Sequence, residues 1–144
     1  MNDQPTISPI ASNRTLGQRF FAAQDSLRGG PDPELCSADY RAWLGGNPAV
    51  DRRGHEGFAR AFYAAFPDIR HELELVLADE QGVAVRARLK GRHTQAFFGI
   101  PATSASIDVV LNVFLRIQDG KVSELFGVFD EAGLLRQLGA LPRG

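Results

Sequence analysis

The sequence has 144 residues, of which 44% are hydrophobic and 23% charged, a balance that indicates one globular domain with a core of its own. The formal net charge of -1 gives no electrostatic reason to bind nucleic acid or an anionic membrane surface. No apolar run approaches the ~18 residues of a membrane span. The single cysteine, Cys36, excludes an internal disulfide, and nothing at the start resembles a secretion signal. We therefore expect a cytoplasmic protein without nucleic-acid or membrane partners.

Residues 1–11 mix Pro, Asn, Asp and Ser without an apolar repeat, which predicts a flexible arm. A single domain over residues 12–144 is expected to follow. Leu16 and Phe20 recur at helical spacing and predict a first helix. Its N-cap is expected at Ser12 or Asn13, and its end at Gly29-Gly30-Pro31.

Two further segments precede the predicted sheet. Residues 35–43 are short and mixed in character, and they fit either a short helix or an irregular strand. Residues 51–66 carry Phe58, Phe62 and Phe66 at four-residue intervals, which predicts an amphipathic helix with an aromatic stripe. Pro67 ends this helix, because the residue before a proline is pushed away from helical angles.

After Pro67 the apolar period changes to two. Residues 73–77 and 83–89 predict two antiparallel strands joined by a short turn. Residues 107–117 and 122–129 predict a second hairpin around Asp119-Gly120, and Leu134, Leu135 and Leu138 predict a short closing helix. Helices followed by a strand meander indicate an α+β domain with helices packed on one face of an antiparallel sheet.

Alternation along the strands indicates which polar side chains face the interior. His93 shares the face of Leu89 and is predicted to point inward, while Arg86, Arg88, Lys90 and Arg92 face the other way. In the last strand Phe126, Val128 and Asp130 share a parity. If Phe126 and Val128 are interior, Asp130 points into the same space.

A carboxyl group in an apolar pocket has a raised pKa and can serve as a general base near neutral pH. Asp130 is therefore the first candidate for catalysis, and the alternative is that it caps the segment after it. For His93 the alternative is a buried histidine that is hydrogen-bonded to the backbone. His55 and His71 have no partner that their spacing reveals. No nucleotide-binding or metal-ligand motif is present in the sequence, so we expect neither a cofactor nor a metal.

Three ordered stretches carry a family resemblance: Gly91–Thr94 continuing to Phe98–Thr103, then Arg116–Val122, then Asp130–Gly139. Together they resemble the SnoaL-like polyketide cyclase family over about residues 12–142. The resemblance implies the nuclear-transport-factor-2-like fold, a conical α+β barrel in which helices close a curved antiparallel sheet over one pocket. It also implies a homodimer joined through the sheet.

Characterised ring-closing members of this family catalyse an intramolecular aldol condensation of an aromatic polyketide methyl ester, without metal or organic cofactor. The resemblance implies that Asp130, just before the closing segment, is the acid/base. This sequence departs from the pattern at Val113, where those cyclases carry a histidine, and at Phe126, where relatives often carry Trp.

The first function that these residues predict is a cofactor-independent ester cyclase or isomerase acting on a hydrophobic carbonyl compound. Asp130 would abstract a proton at the α-carbon, and His93 or Asn112 would hydrogen-bond the carbonyl oxygen. The residues expected to shape the apolar cavity are Trp43, Phe62, Phe97, Val113 and Phe126.

Two other functions stay open. A binding protein for a small hydrophobic molecule would need the same pocket without chemistry, and Val113 favours it. Attack by a water molecule held between carboxylates would need a second inward acid, for which Glu124 is placed. Phe97 and Phe98 lie in the connection over residues 97–103. This connection is predicted to pack over the cavity mouth or against the partner subunit, and the alternative is that both side chains complete the core.

Overall fold

The computed structural model describes residues 8–142, so positions 1–7 of the predicted arm lie outside the described residues. Helix α1 spans Pro9–Leu27 and begins earlier than predicted, because Ser8 is its N-cap. The Ser8 Oγ atom accepts a hydrogen bond from the Ala11 N–H at 3.1 Å. Proline in the first turn suits a helix start, since its missing N–H would have no helical partner there.

Residues 35–43, for which the sequence fitted either a short helix or an irregular strand, lie mostly in a strand. Pro33–Leu35 form a single 3-10 turn, and strand β1 follows over Cys36–Leu44. Helix α2 spans Arg52–Ala65, as predicted, and its N-cap Asp51 accepts a hydrogen bond from the Gly54 N–H at 2.8 Å.

The remaining strands form the predicted meander, with β2 over Arg70–Ala78, β3 over Gly82–Arg92, β4 over Ser106–Gln118 and β5 over Lys121–Phe129. The short closing helix α3 spans Glu131–Gln137. Strand β1 adds to this meander in parallel with β5, giving one five-stranded sheet of order β1-β5-β4-β3-β2. The sheet is therefore mixed, which corrects the expectation of a wholly antiparallel sheet.

The sheet is open at its β1 and β2 edges, and the helices cover its inner face. Helix α1 packs against β2 and β3, α2 against β1, and α3 against β4. This arrangement is the predicted α+β cone. Among the helices of residues 8–142, none combines the length and apolarity that a membrane crossing needs.

A bulge in β2 changes the predicted alternation. The pairing of β2 with β3 shifts between Leu73 and Leu75. A bulge of one residue reverses the face of every residue after it. Leu75 and Leu77, predicted to share the inner face of Leu73, are therefore exposed on the outer face.

The hairpin of β4 and β5 contains a second extra residue. Ile117 pairs with Val122, but the residue of β4 before it, Arg116, pairs with Glu124. Ser123 is left over between the two pairs; it is buried, and its Oγ donates to the Arg116 carbonyl oxygen at 3.2 Å. Beyond Ser123, β5 therefore presents the opposite face to the interior.

The condition on which Asp130 was expected to point inward, that Phe126 and Val128 are interior, is not met for this reason. Leu125 is buried, whereas Phe126 and Val128 are exposed. A hairpin without the bulge would set Phe126 opposite the inward Val113, which is the arrangement that simple alternation predicts.

The outer face of the sheet has a charged part and an apolar part. The cationic row of β3, formed by Arg86, Arg88, Lys90 and Arg92, faces outward as predicted. Arg86 and Arg88 pair with the Glu74 carboxylate on β2, and Lys90 pairs with Glu72. Next to the cationic row, four large apolar side chains lie in one row across the sheet, with the small Ala84 of β3 between the first two. We call these four the outer apolar row: Leu77, Phe114, Phe126 and Trp43. The rings of Trp43 and Phe126 stack with centroids 4.8 Å apart.

Candidate active site

The helices and the inner face of the sheet enclose a cavity of about 650 Å³. Most of its wall is aromatic or aliphatic, with aromatic rings from Phe21, Phe58, Phe62, Phe97 and Phe129. Its polar groups come from Gln24, Asn47, His55, Tyr63, His71 and Glu131. A largely apolar cavity with a few convergent polar groups is the usual form of a small-molecule site.

The exposed residues among the cavity lining mark its mouth, and Phe98 is one of them. Phe97 and Ile100 close a tight turn through two backbone hydrogen bonds of 2.9 Å. Its central residues, Phe98 and Gly99, have φ of 43° and 81°, typical of a type I′ turn. Phe97 is 5% exposed and completes the core, while Phe98 is 67% exposed at the mouth. Of the two expectations for this connection, completing the core therefore describes Phe97, and a position at the cavity mouth describes Phe98.

A histidine paired with a carboxylate lies in the cavity wall. The Nδ1 atom of His71, on β2, is 2.7 Å from Oδ1 of Asp25, on α1. Asp25 also accepts hydrogen bonds from the His71 backbone N–H at 2.8 Å and from the Tyr63 hydroxyl, on α2, at 2.6 Å. Since Asp25 occupies Nδ1, Nε2 is the ring nitrogen that remains for a ligand in the cavity.

This network keeps Asp25 ionised. Burial alone would raise the pKa of Asp25, but the hydrogen bonds from His71 and Tyr63, and the positive charge of His71 whenever its ring is protonated, outweigh burial and hold the pKa below its ordinary value of 3.8. Burial and the Asp25 carboxylate raise the pKa of the Tyr63 hydroxyl, so Tyr63 stays a hydrogen-bond donor.

The sequence contains a signal for this network that our prediction did not use. His71 shares the parity of Leu73, which was predicted to face inward, and Asp25 lies one helical turn after the buried Phe21. The two residues are 46 positions apart, so nothing local in the sequence joins them.

A second histidine, His55 on α2, also lines the cavity. It is buried, and its Nδ1 atom is 2.8 Å from the hydroxyl oxygen of Tyr40 on β1. Burial, helped by the charge of His71, lowers the pKa of His55 from 6.5 to about 4. His55 is therefore neutral at physiological pH. Within residues 8–142, no three His, Cys, Asp or Glu side chains are grouped closely enough to hold a metal ion.

Three of the predicted pocket residues line the cavity: Phe62, Phe97 and Val113. The other three do not. Asn112 is exposed on the outer face, opposite its neighbour Val113, and Trp43 and Phe126 stack on each other on that same face. The outward positions follow from the pleat of β4 and from the bulge at Ser123.

His93 points inward as predicted, but it is packed in the core outside the cavity lining. Its ring stacks on Phe66 with centroids 5.1 Å apart. Its Nδ1 atom is 2.9 Å from the Thr103 hydroxyl and accepts the Thr103 backbone N–H at 3.2 Å. This matches the alternative of a buried histidine bonded to the backbone, although its Nε2 has no hydrogen-bond partner among the described residues.

The sequence profile of SnoaL-like polyketide cyclases matches residues 33–138, which is most of the chain. The chain belongs to this family. Its similarity to solved structures extends further: AclR from Streptomyces galilaeus is 28% identical, with a TM-score of 0.84, over 92% of this chain and 99% of that one. TsrD from Streptomyces laurentii is also 28% identical, with a TM-score of 0.78, over 91% of this chain and 97% of that one.

Two enzymes with named substrates are similar in sequence to this chain. The aklanonic acid methyl ester cyclases DnrD of Streptomyces peucetius and DauD of Streptomyces sp. strain C5 are each 38% identical to this chain over 98 residues. The match covers 65% of this chain, 66% of DnrD and 59% of DauD. It therefore spans less than two thirds of either cyclase.

In this SnoaL-like protein Asp130 is exposed and is the N-cap of α3. Its Oδ1 atom accepts the Gly133 N–H at 2.9 Å, and its carboxylate lies outside the cavity lining. The expectation that Asp130 and His93 both line the cavity is therefore wrong, and the capping alternative describes Asp130. Glu124 also faces outward, where it pairs with Arg116 at 2.8 Å.

Proposed function

We propose that this protein is a cofactor-independent ester cyclase or isomerase that acts on a hydrophobic carbonyl compound by proton transfer at the α-carbon. Two observations support the substrate class. The cavity is about 650 Å³ and mostly apolar, and two relatives are named as cyclases of a polyketide methyl ester. Cavities of roughly 300–1,000 Å³ are usual for ligands of this kind.

The observation that carries the proposal is that His71, in the cavity wall, is paired with the Asp25 carboxylate. A histidine oriented through Nδ1 by an ionised carboxylate is a good general base at Nε2, because the carboxylate stabilises the imidazolium that forms. His71 removes a proton from the α-carbon and leaves an enolate. The enolate attacks a second carbonyl carbon of the same molecule, the new C–C bond closes the ring, and the resulting alkoxide takes a proton from His71.

Asp130 is the alternative base, which the family resemblance implies. Phe129 and Glu131, on either side of it, both line the cavity, so the carboxylate is near the mouth. To act on a substrate it would have to leave the Gly133 N–H that it now binds. We therefore assign it to helix capping, and the two assignments predict different mutant kinetics.

The test uses the purified chain with aklanonic acid methyl ester, followed by chromatographic detection of the ring-closed product. His71→Asn keeps an N–H near the position of Nδ1 for Asp25 but removes Nε2, and we expect turnover to fall by about 10²–10⁴-fold. Asp130→Asn keeps a good N-cap and is expected to change turnover by only a few-fold. The opposite pattern would refute the assignment to His71 and restore Asp130.

A non-catalytic binding protein is the second candidate function, favoured by Val113, which contributes an apolar side chain to the cavity wall. Wild-type protein that binds the ester, as measured by calorimetry, but forms no ring-closed product would support this candidate. That result would refute the cyclase proposal for this substrate whatever the behaviour of the variants.

We also propose that the chain forms a homodimer through the outer face of its sheet. The outer apolar row supports this, because Phe114 is 61% exposed beside other apolar side chains. A contiguous apolar patch on the surface of a protein is typical of an interaction site.

A further inference from the structure

We infer that His55 donates a hydrogen bond from Nε2 to the substrate oxygen that becomes negative when a proton is removed from the α-carbon. This inference rests on the function proposed above and deepens it. His71 and His55 would then form a two-histidine site, in which one ring moves the proton and the other stabilises the enolate oxygen. Each histidine is held through its Nδ1 atom by a different partner, Asp25 or Tyr40.

The hydrogen bond to Tyr40 decides which nitrogen of His55 carries the proton. Tyr40 is buried, and within residues 8–142 its hydroxyl has no hydrogen-bond partner besides Nδ1 of His55, 2.8 Å away. A buried hydroxyl must donate its proton to avoid a desolvation penalty, so it donates to Nδ1. A neutral ring that accepts at Nδ1 carries its proton on Nε2. His55 therefore presents an N–H donor to the cavity that it lines.

The surroundings of His55 also keep it neutral during the reaction. It is buried on the apolar face of α2, and protonation of the nearby His71 disfavours a second positive charge. A neutral imidazole donates to an enolate oxygen without itself competing for the substrate proton. Two groups of one residue type thus acquire separate roles, one as base and one as hydrogen-bond donor, from their surroundings.

This arrangement specifies the ligand. The substrate needs an enolisable C–H that faces His71 and an adjacent carbonyl oxygen that faces His55, on a molecule that is otherwise apolar. A phenolate has the same charge distribution as an enolate, with a negative oxygen on a planar carbon frame. Phenolates should therefore bind in the cavity as stable analogues of the intermediate.

The first test measures the tautomer directly by long-range ¹H–¹⁵N correlation NMR of the wild-type protein at pH 7. We expect the His55 ring to be neutral with its proton on Nε2. Tyr40→Phe should lower the population of this tautomer, because Tyr40 positions the proton through Nδ1. A wild-type spectrum with the proton on Nδ1 would refute the inference, since Nε2 would then be an acceptor.

The second test measures binding of 4-nitrophenolate from its visible absorbance. Nitrobenzene is the matched control ligand, because it lacks only the phenolate oxygen. We expect His55→Leu to weaken 4-nitrophenolate binding by about 10-fold or more, and His55→Gln to preserve most of it because the amide supplies an N–H. Nitrobenzene binding should be the same in all three proteins. Equal 4-nitrophenolate affinity in wild type and His55→Leu would refute the inference.

Neither test depends on turnover, so their failure is distinguishable from failure of the proposed function. If the ester is not turned over but 4-nitrophenolate binding depends on His55, the cyclase proposal fails and the donor assignment stands. If turnover depends on His71 but 4-nitrophenolate binds equally well with and without His55, the assignment of His71 as base stands and the assignment of His55 as donor is wrong. Should His55→Leu not fold, the wild-type tautomer and the His55→Gln variant still decide the matter.

Discussion

Acidification should destabilise this protein through His55 over a defined pH range. The pKa of His55 is about 4 in the folded protein, against an ordinary value of 6.5. Above pH 6.5 the ring is neutral in both states and stability is unaffected. Between these values only the unfolded chain takes up the proton, so stability falls as pH falls. The linkage relation gives a loss of about 2 kcal/mol at pH 5 and about 3 kcal/mol at pH 4.

The assay is urea unfolding, followed by circular dichroism, at half-unit steps from pH 7 to pH 4. His55→Gln is the matched control, because glutamine keeps a polar side chain but does not titrate. The difference in unfolding free energy between the two proteins should change with a slope approaching ~1.4 kcal/mol per pH unit near pH 5. Asp25 does not interfere, because both proteins contain it and the stabilisation that it loses as pH falls through its lowered pKa cancels in this difference. Parallel curves for the two proteins would refute the assignment of His55 as a buried neutral ring.

Three further predictions concern the mouth, the cap and the outer face. Phe97→Ala should cost ~3–5 kcal/mol in urea unfolding because Phe97 is buried, whereas Phe98→Ala should change stability by under ~0.5 kcal/mol and raise KM; equal stability losses would contradict the structure. Asp130→Ala should lower the unfolding free energy by ~1 kcal/mol and Asp130→Asn should not, and a loss in both would show that the charge matters beyond capping. Light scattering at micromolar concentration should give twice the chain mass of 15.7 kDa for wild type and a monomer for Phe114→Glu, and a monomeric wild type would refute the dimer.

The order and type of the elements could be predicted from the sequence because each has a strong local signal. The aromatic stripe of α2 and its proline stop, and the Asp119-Gly120 turn between β4 and β5, mark elements whose bounds the structure confirms to within a few residues. The parallel pairing of β1 was not predictable in this way. It joins Cys36 to Val122 across most of the chain, and no local pattern records such a contact.

The site was predicted less well, and the reasons are physical. Alternation identifies inward residues only while the pairing stays regular, so it succeeded for His93 on β3 and failed for Phe126 beyond a bulge. Asp130 has an N-cap signal as strong as its signal as a base, and the structure shows the cap. His71 and His55 were passed over because their partners, Asp25 and Tyr40, lie on other elements and meet them only in the folded chain.

Because of the extra residue at Ser123, the two faces of β5 can change independently during evolution. After the bulge, Leu125 and Phe129 contribute to the cavity wall, while Phe126 lies on the opposite face of the sheet, where it stacks on Trp43. A point substitution in this strand can thus diversify the ligand cavity or the outer surface without altering the other. A change in length at Ser123 would exchange both sets at once, so insertions and deletions in this hairpin should be far less tolerated than substitutions.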